Sequence, residues 1–205
     1  LVAHPSTAHF IVTKLARRFL ADDPPPEIVE KAARTFLNTK GDIKSVLRVL
    51  LLDGLPLAGP KYKRPANFIL SALRMLNAET DGTGVQDYLL RMGQSYFNWP
   101  TPDGYPDHSA AWQGNLIPRW QFAFEFIRNE IKGTKHNLNA LMNVSASDSL
   151  RDDLDAVASL LLGAPLAPLA RDELMDSVLA AGASEEETLQ IVIAGLIASP
   201  AFQWR

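Results

Sequence analysis

The chain has 205 residues, a net charge of −3 and no cysteine. A chain of this length can bury a substantial core. Its charge balance provides no concentrated basic footprint, so we expect no nucleic-acid partner. The absence of cysteine excludes disulfides, thiolate metal ligands and cysteine nucleophiles. No apolar run approaches the roughly 20 residues that a membrane helix needs, so we expect no transmembrane segment.

Apolar residues recur at helical spacing along most of the chain, which predicts amphipathic helices. The predicted helices cover residues 6–20, 27–38, 42–50, 66–76, 85–92, 118–127, 150–162, 171–180 and 185–199, with a polar connection over 133–147. Ser184 and Glu187 have the spacing of a capping box. No segment alternates with the period of two that marks a strand. The sequence therefore predicts an all-α multi-helix bundle of about eight to nine helices, in a single helical domain over residues 1–205.

An internal similarity links the two ends of the chain. Residues 27–51 align with residues 173–197 without a gap, so that Val46 meets Val192 and Leu50 meets Leu196. One interpretation is a duplicated helical hairpin. The other is that any two amphipathic helix pairs align in this way. Both interpretations remain open at this point.

The least helical stretch is residues 96–108, which contains Pro-Thr-Pro-Asp-Gly-Tyr-Pro at positions 100–106. Prolines fix φ and the glycine permits a turn, so we predict a rigid loop. Ordering a long loop costs backbone entropy, and one reason for a compact domain to keep such a loop is binding. Alternatively, its aromatic residues cover the core while Asp103 forms an Asx turn. Under the binding hypothesis, the candidate ligand contacts in this stretch are Trp99, Asp103, Tyr105 and His108.

Several basic residues and one further tryptophan complete the set of candidate ligand contacts. They are Lys14, Lys63, Trp112 and Arg119. The three cations either form structural ion pairs or line one anion-binding pocket. Arg119 lies at the start of a predicted helix, where a cation opposes the helix dipole. We therefore expect a carboxylate or carbonyl partner for Arg119, with Asp103 and Asp107 as the candidate carboxylates.

The common catalytic signatures are absent from the sequence. It has no Gly-x-Ser-x-Gly elbow, no His-Glu-x-x-His pair, no phosphate-binding Gly-rich loop and no dinucleotide fingerprint. The four histidines, at positions 4, 9, 108 and 136, lack the spacing of a zinc site and are expected to be capping or solvated. We accordingly expect no metal and no cofactor. If the chain is catalytic, Asp103 is the best local acid or base, with Lys63 and Arg119 holding an anion.

A series of short motifs resembles one known family along essentially the whole chain. The motifs are His4-Pro5-Ser6-Thr7-Ala8-His9-Phe10, Gly41-Asp42, Lys63-x-Pro65, Ser71-Ala72-Leu73-Arg74, Pro100-Thr101-Pro102-Asp103-Gly104-Tyr105-Pro106, Arg119-Trp120 and Ala198-Ser199-Pro200-Ala201-Phe202-Gln203. They resemble the bacterial domain-of-unknown-function family 1800. The resemblance implies a longer protein of which this chain is the C-terminal half, with the N-terminal half as a partner. It also implies an exported or envelope setting and a possible secreted sulfatase-like partner encoded nearby.

Two functions are compatible with these observations. The first is a non-catalytic helical binding or interaction module of an exported bacterial protein, located in the periplasm or outside the cell. The second is part of a hydrolase acting on a polysaccharide or envelope substrate, with a site shared with the missing N-terminal half. An exposed Asp103 that merely holds a turn would remove the main support for the hydrolase.

Overall fold

A computed structural model describes residues 1–138, 150–182 and 184–204 of the chain. These residues group into two compact units. The first unit comprises residues 1–62 and 106–112, and the second comprises the described residues within 63–105 and 113–204. The prediction of a single domain over residues 1–205 stays a prediction.

The first unit is built around three α-helices that share one core. They are α1 (Pro5–Phe19), α2 (Pro26–Asn38) and α3 (Ile43–Arg48), followed by a π-helical turn (Val49–Asp53) and two 3₁₀ turns (Leu55–Leu57 and Ser109–Ala111). His4 caps α1, because its Nδ1 accepts a hydrogen bond of 3.2 Å from the Ser6 N–H. The core residues include Val12, Ala16, Ile28, Ala32, Phe36, Val46 and Leu50.

The second unit contains the remaining described helices and a short antiparallel ladder. The helices are α4 (Pro65–Met75), α5 (Thr83–Arg91), α6 (Leu116–Ile127), α7 (Leu150–Leu162), α8 (Pro168–Ala181), α9 (Glu185–Ala198) and α10 (Pro200–Gln203). The ladder joins β1 (Glu79–Thr80) to β2 (Thr134–Lys135). Edge-to-face aromatic contacts run through the core. The centre of the Phe122 ring lies 5.7 Å from the centre of the Phe68 ring and 5.3 Å from that of Tyr88.

The mainly helical fold confirms the sequence prediction, with two local differences. The third predicted helix changes to a π-helical turn after Arg48 and ends at Gly54, whose N–H bonds the Leu50 carbonyl at 3.1 Å. A Cβ at position 54 would lie 2.4 Å from that carbonyl oxygen. The ladder of two residues per strand was not predicted, because such short strands leave no alternation to detect.

Several finer predictions concern single features of the fold. The capping box at Ser184 and Glu187 is confirmed. Both segments of the proposed internal repeat form helix pairs, and Val46, Val192, Leu50 and Leu196 are all buried, but the duplication itself stays a prediction. The predicted polar connection over 133–147 lies outside the described residues from position 139 onward. In the described part of the chain, no helix combines the length and apolarity that crossing a membrane requires.

Candidate binding site

The proline-rich stretch forms a loop that is anchored at both ends within the second unit. We call residues 95–105 the aromatic loop. The buried Gln94 precedes the loop, and its side-chain oxygen accepts a hydrogen bond of 2.8 Å from the Ala66 N–H in the first turn of α4. The Tyr105 hydroxyl donates to the Ser95 carbonyl at 2.5 Å, which closes the loop. The Gln94 bond fixes the base of the loop to α4, and the Tyr105 bond holds its two ends together.

The interior of the aromatic loop is held by Asp103. Its Oδ1 accepts a hydrogen bond from the Trp99 indole N–H at 3.4 Å and another from the Thr101 hydroxyl. The ring of Trp99 packs against Tyr105, with centroids 4.7 Å apart and planes tilted by 46°. Asp103 therefore positions Trp99 and stabilises the turn, while remaining exposed itself.

The aromatic side chains of the loop are presented to solvent. Phe97 is fully exposed, Tyr96 is 53% exposed and Trp99 is 38% exposed. Phe97 also has a left-handed backbone conformation, with φ of 59°, which is unfavourable for a bulky residue. The exposure of Tyr96, Phe97 and Trp99 favours the binding interpretation over that of a loop whose aromatic rings cover the core.

The buried Arg119 lies at the centre of a separate cluster in the second unit. Its guanidinium donates to Gln203 Oε1 and to the Lys63 carbonyl, both at 2.7 Å, and lies 5.0 Å from the centre of the Phe68 ring. The Lys63 ammonium lies 3.7 Å from the centre of the Phe202 ring. Arg119 thus has a backbone carbonyl partner, as the prediction allowed, whereas the two named candidates have other contacts: Asp103 accepts from Trp99 and Thr101, and Asp107 pairs with Arg18. This cluster joins α10 to the start of α4.

Another cluster in the first unit holds the segment that contains Trp112. Lys61 Nζ donates to Asp22 Oδ1 at 2.8 Å and to the Arg17 carbonyl at 2.6 Å, while the Ser109 N–H donates to Asp22 Oδ2 at 2.7 Å. Burial would raise the pKa of Asp22, but the hydrogen bonds from Lys61 and Ser109 outweigh it and lower that pKa to about 2. Asp22 is therefore charged in the folded protein at neutral pH.

The remaining predicted residues also lie in the first unit. Trp112 is buried, and its indole N–H donates to the Pro106 carbonyl at 3.0 Å. Asp107, a candidate partner of Arg119, forms an ion pair of 3.3 Å with Arg18. His108 is exposed, and Lys14 lies over the exposed ring of Phe10, 5.3 Å from its centre.

The structure thus separates the candidate residues into groups with different surroundings. Trp99, Asp103 and Tyr105 come together in the aromatic loop. Lys63 and Arg119 come together around α10, where Arg119 is fully buried. Lys14, His108 and Trp112 belong to the first unit. Among these groups, the aromatic loop combines a fixed backbone with exposed side chains suited to contact a ligand.

Sequence reasoning missed several polar residues that hold these groups in place. Gln94, Asp22 and Lys61 carry no motif, and their roles depend on partners between 28 and 87 positions away in the sequence. His9 was expected to be solvated or capping. Its Nε2 lies 3.4 Å from Glu30 Oε1 and its Nδ1 lies 3.4 Å from the Thr13 hydroxyl, and both partners of the His9–Glu30 pair are 56% exposed.

The cavities and the potential metal ligands among the described residues do not change the choice of the aromatic loop as the candidate site. A cavity of about 330 Å³ lies between α6 and α9, with Phe124, Arg128 and Ile191 in its lining. Another of about 320 Å³ lies between α1 and α2 beside His9 and Arg34. Within the described ranges, no three His, Cys, Asp or Glu side chains converge on a point where they could hold a metal ion.

The fold and the site together define a helical protein that presents an anchored, solvent-exposed aromatic loop. The chain belongs to the family described as Protein of unknown function (DUF1800), which it matches over residues 1–204. No curated protein and no solved structure matches the chain. The family assignment confirms the resemblance that the motifs indicated.

Proposed function

We propose that this chain is a non-catalytic helical binding module of an exported or envelope-associated bacterial protein. The aromatic loop is its ligand-contact element. The observation that carries this proposal is the exposure of Tyr96, Phe97 and Trp99 on a loop whose base and interior are hydrogen-bonded. Such a loop loses little conformational entropy when a ligand binds.

The exposed rings are difficult to explain as structural elements. Exposed aromatic side chains that are grouped together mark interaction surfaces more often than single exposed apolar residues do. The left-handed conformation of Phe97 adds an energetic cost, and strained residues of this kind concentrate at binding and active sites. A loop that served only to connect α5 to the following segment would keep neither feature.

The hydrolase alternative receives less support from the geometry. It required Asp103 as a buried acid or base, whereas Asp103 is exposed and accepts hydrogen bonds from Trp99 and Thr101. Arg119, the proposed anion-binding cation, is fully buried and donates to Gln203 and the Lys63 carbonyl. A general acid or base has to reach the substrate proton, and an anion-binding cation has to reach the substrate.

The exported setting and the partners are part of the same proposal. They depend on the family resemblance, which implies a longer protein, an envelope location and a secreted sulfatase-like protein encoded nearby. A module that docks its protein onto envelope material is compatible with each of these implications.

Co-sedimentation with insoluble bacterial envelope material tests the proposal. The wild-type chain is compared with the double variant Tyr96→Asn/Phe97→Asn, which removes exposed rings only. Phe10→Gln is the matched control, because Phe10 is also an exposed aromatic residue but lies on α1. We expect the wild type and Phe10→Gln to sediment with the envelope and the double variant to stay in solution. Equal sedimentation of all three chains would overturn the proposal.

A further inference from the structure

We propose that the aromatic loop binds a neutral glycan chain made of pyranose units. This inference rests on the proposed function and specifies its ligand. The chemistry of the loop, its charge, its ring geometry and its small area each bear on the choice of ligand.

The side chains of the loop match the two kinds of surface that a pyranose presents. The C–H groups on a face of the sugar ring form an apolar patch, which stacks on an aromatic ring. The hydroxyl groups at the ring edge need hydrogen-bond donors and acceptors. Tyr96, Phe97 and Trp99 supply exposed rings, and the exposed side chains of Asn98 and Thr101 supply polar groups among them. Exposed rings with polar groups among them suit sugar recognition.

The charge of the loop disfavours anionic ligands. From residue 92 to residue 105 the sequence contains one charged side chain, the carboxylate of Asp103. Nucleic acids and anionic lipid surfaces are bound through Lys and Arg residues placed beside the aromatic contacts. Because residues 95–105 include no Lys or Arg, the loop itself supplies no basic side chain for a phosphate, a sulfate or a uronic acid, and an uncharged polyhydroxyl ligand suits it better.

The geometry of the rings indicates a flexible, soluble chain rather than a flat crystalline surface. The centres of the Tyr96 and Phe97 rings lie 6.4 Å apart, and the two ring planes are tilted by 47° to one another. The Trp99 ring is held by Tyr105 and by the hydrogen bond to Asp103. In the arrangement that the structure shows, these rings do not share one plane. They can each stack on successive sugars of a chain that turns between residues.

The small size of the surface disfavours a protein ligand for this loop. A stable protein–protein interface buries roughly 800 Å² and about 20–30 residues on each partner. The aromatic loop has eleven residues, from 95 to 105, and three of them present large exposed rings. A surface of this extent fits a few sugar units, for which stacking contacts provide much of the affinity.

Calorimetric titration of the chain with soluble neutral hexasaccharides tests the inference. The probes are maltohexaose, laminarihexaose and chitohexaose, with polygalacturonate as the anionic comparison. We expect saturable binding of at least one neutral hexasaccharide and weaker binding of polygalacturonate. Trp99→Ala and Phe97→Asn should each weaken that binding at least about tenfold, or ~1.4 kcal/mol. Phe10→Gln should bind as the wild type does.

The variants also separate loss of the loop from loss of the fold. Asn tolerates the left-handed conformation at position 97, so Phe97→Asn keeps the loop and stays informative if Trp99→Ala loosens it. Absence of binding to all three hexasaccharides, tighter binding of polygalacturonate, or unchanged binding by Phe97→Asn would overturn the inference. If envelope co-sedimentation still depends on the loop while no hexasaccharide binds, the glycan inference fails and the proposed binding module stands with a different ligand. If co-sedimentation is independent of the loop, the proposed function itself fails.

Discussion

At the scale of single residues, charged side chains in the described structure stabilise the fold through specific hydrogen bonds. Arg119 is the clearest example, because a fully buried guanidinium is held by two carbonyl oxygens and the face of Phe68. The planar guanidinium presents several donors in a fixed geometry, whereas a lysine ammonium is a compact, strongly hydrated charge. Arg119 therefore has a role that lysine cannot replace.

We predict that Arg119→Lys lowers the free energy of unfolding by about 3 kcal/mol, because it leaves the Gln203 and Lys63 oxygens poorly paired and a charge buried. Denaturant titration followed by circular dichroism measures this change. Arg128→Lys is the matched control at the exposed end of the same helix, and we expect it to change stability by less than about 0.5 kcal/mol. Similar effects of the two substitutions would contradict the structural role of Arg119.

The charge of Asp22 provides a second prediction at this scale. Its pKa of about 2 in the folded protein lies below the ordinary value of an aspartate, 3.8. The stabilising contribution of Asp22 is therefore present above about pH 4 and is lost as the pH falls toward 2. Asp22→Asn should lower the free energy of unfolding at pH 7 by about 2 kcal/mol, and this difference should shrink on acidification.

The control for Asp22 is the neighbouring residue Asp23, whose side chain is exposed. We expect Asp23→Asn to have little effect at either pH. Unfolding experiments at pH 7 and pH 3 distinguish the two variants. A loss of stability in Asp22→Asn that is the same at both pH values would contradict the charge-dependent role of Asp22.

At the scale of secondary-structure elements, a close backbone approach lets α5 pack against the chain that follows α6. The N-terminal turn of α5 packs directly against the chain at residues 131–132, where the Gly84 N–H donates to the Lys132 carbonyl at 3.1 Å. A Cβ on Gly84 would lie 2.7 Å from that carbonyl oxygen and 2.7 Å from Ile131 Cγ2. Glycine permits this approach because it has no side chain.

We predict that Gly84→Ala destabilises the protein by about 1–3 kcal/mol, because the backbone at residues 131–132 has to shift. Gly114→Ala is the control, since a Cβ at position 114 would have no atom within 4 Å. Thermal unfolding of the two variants provides the comparison. Equal melting temperatures for both would show that this contact does not limit the packing of α5.

The elements themselves were largely predictable from the sequence, and the contacts between distant residues were not. Helical periodicity predicts α2, and the spacing of Ser184 and Glu187 predicts the capping box of α9. Both signals lie within a few adjacent residues of the sequence. The π-helical turn after Arg48 depends on how the chain packs around Gly54, which no local pattern reveals. The anchoring of the aromatic loop by Gln94 and Ala66 likewise joins residues 28 positions apart.

At the scale of the whole molecule, the candidate site was only partly predictable. The loop at residues 96–108 and two of its aromatic residues, Trp99 and Tyr105, are predicted from composition, whereas Tyr96 and Phe97 are not among the predicted ligand contacts. The sequence does not predict which of the candidate residues face solvent: Arg119 and Trp112 are buried, whereas Trp99 and Asp103 are exposed. Periodicity predicts the face of a helix, but a proline-rich loop has no period from which the direction of a side chain follows.

Contact between the aromatic loop and a ligand can be tested directly by photo-crosslinking. The variant Phe97→p-benzoylphenylalanine is produced in cells, where its benzophenone group inserts into C–H bonds of glycans and proteins alike. The same replacement at Phe10 is the control, since that exposed ring lies outside the loop. We predict a crosslinked product from position 97 and none from position 10, with glycan in the product. If the variant at position 97 gives no more crosslinked product than the variant at position 10, the aromatic loop does not contact a ligand.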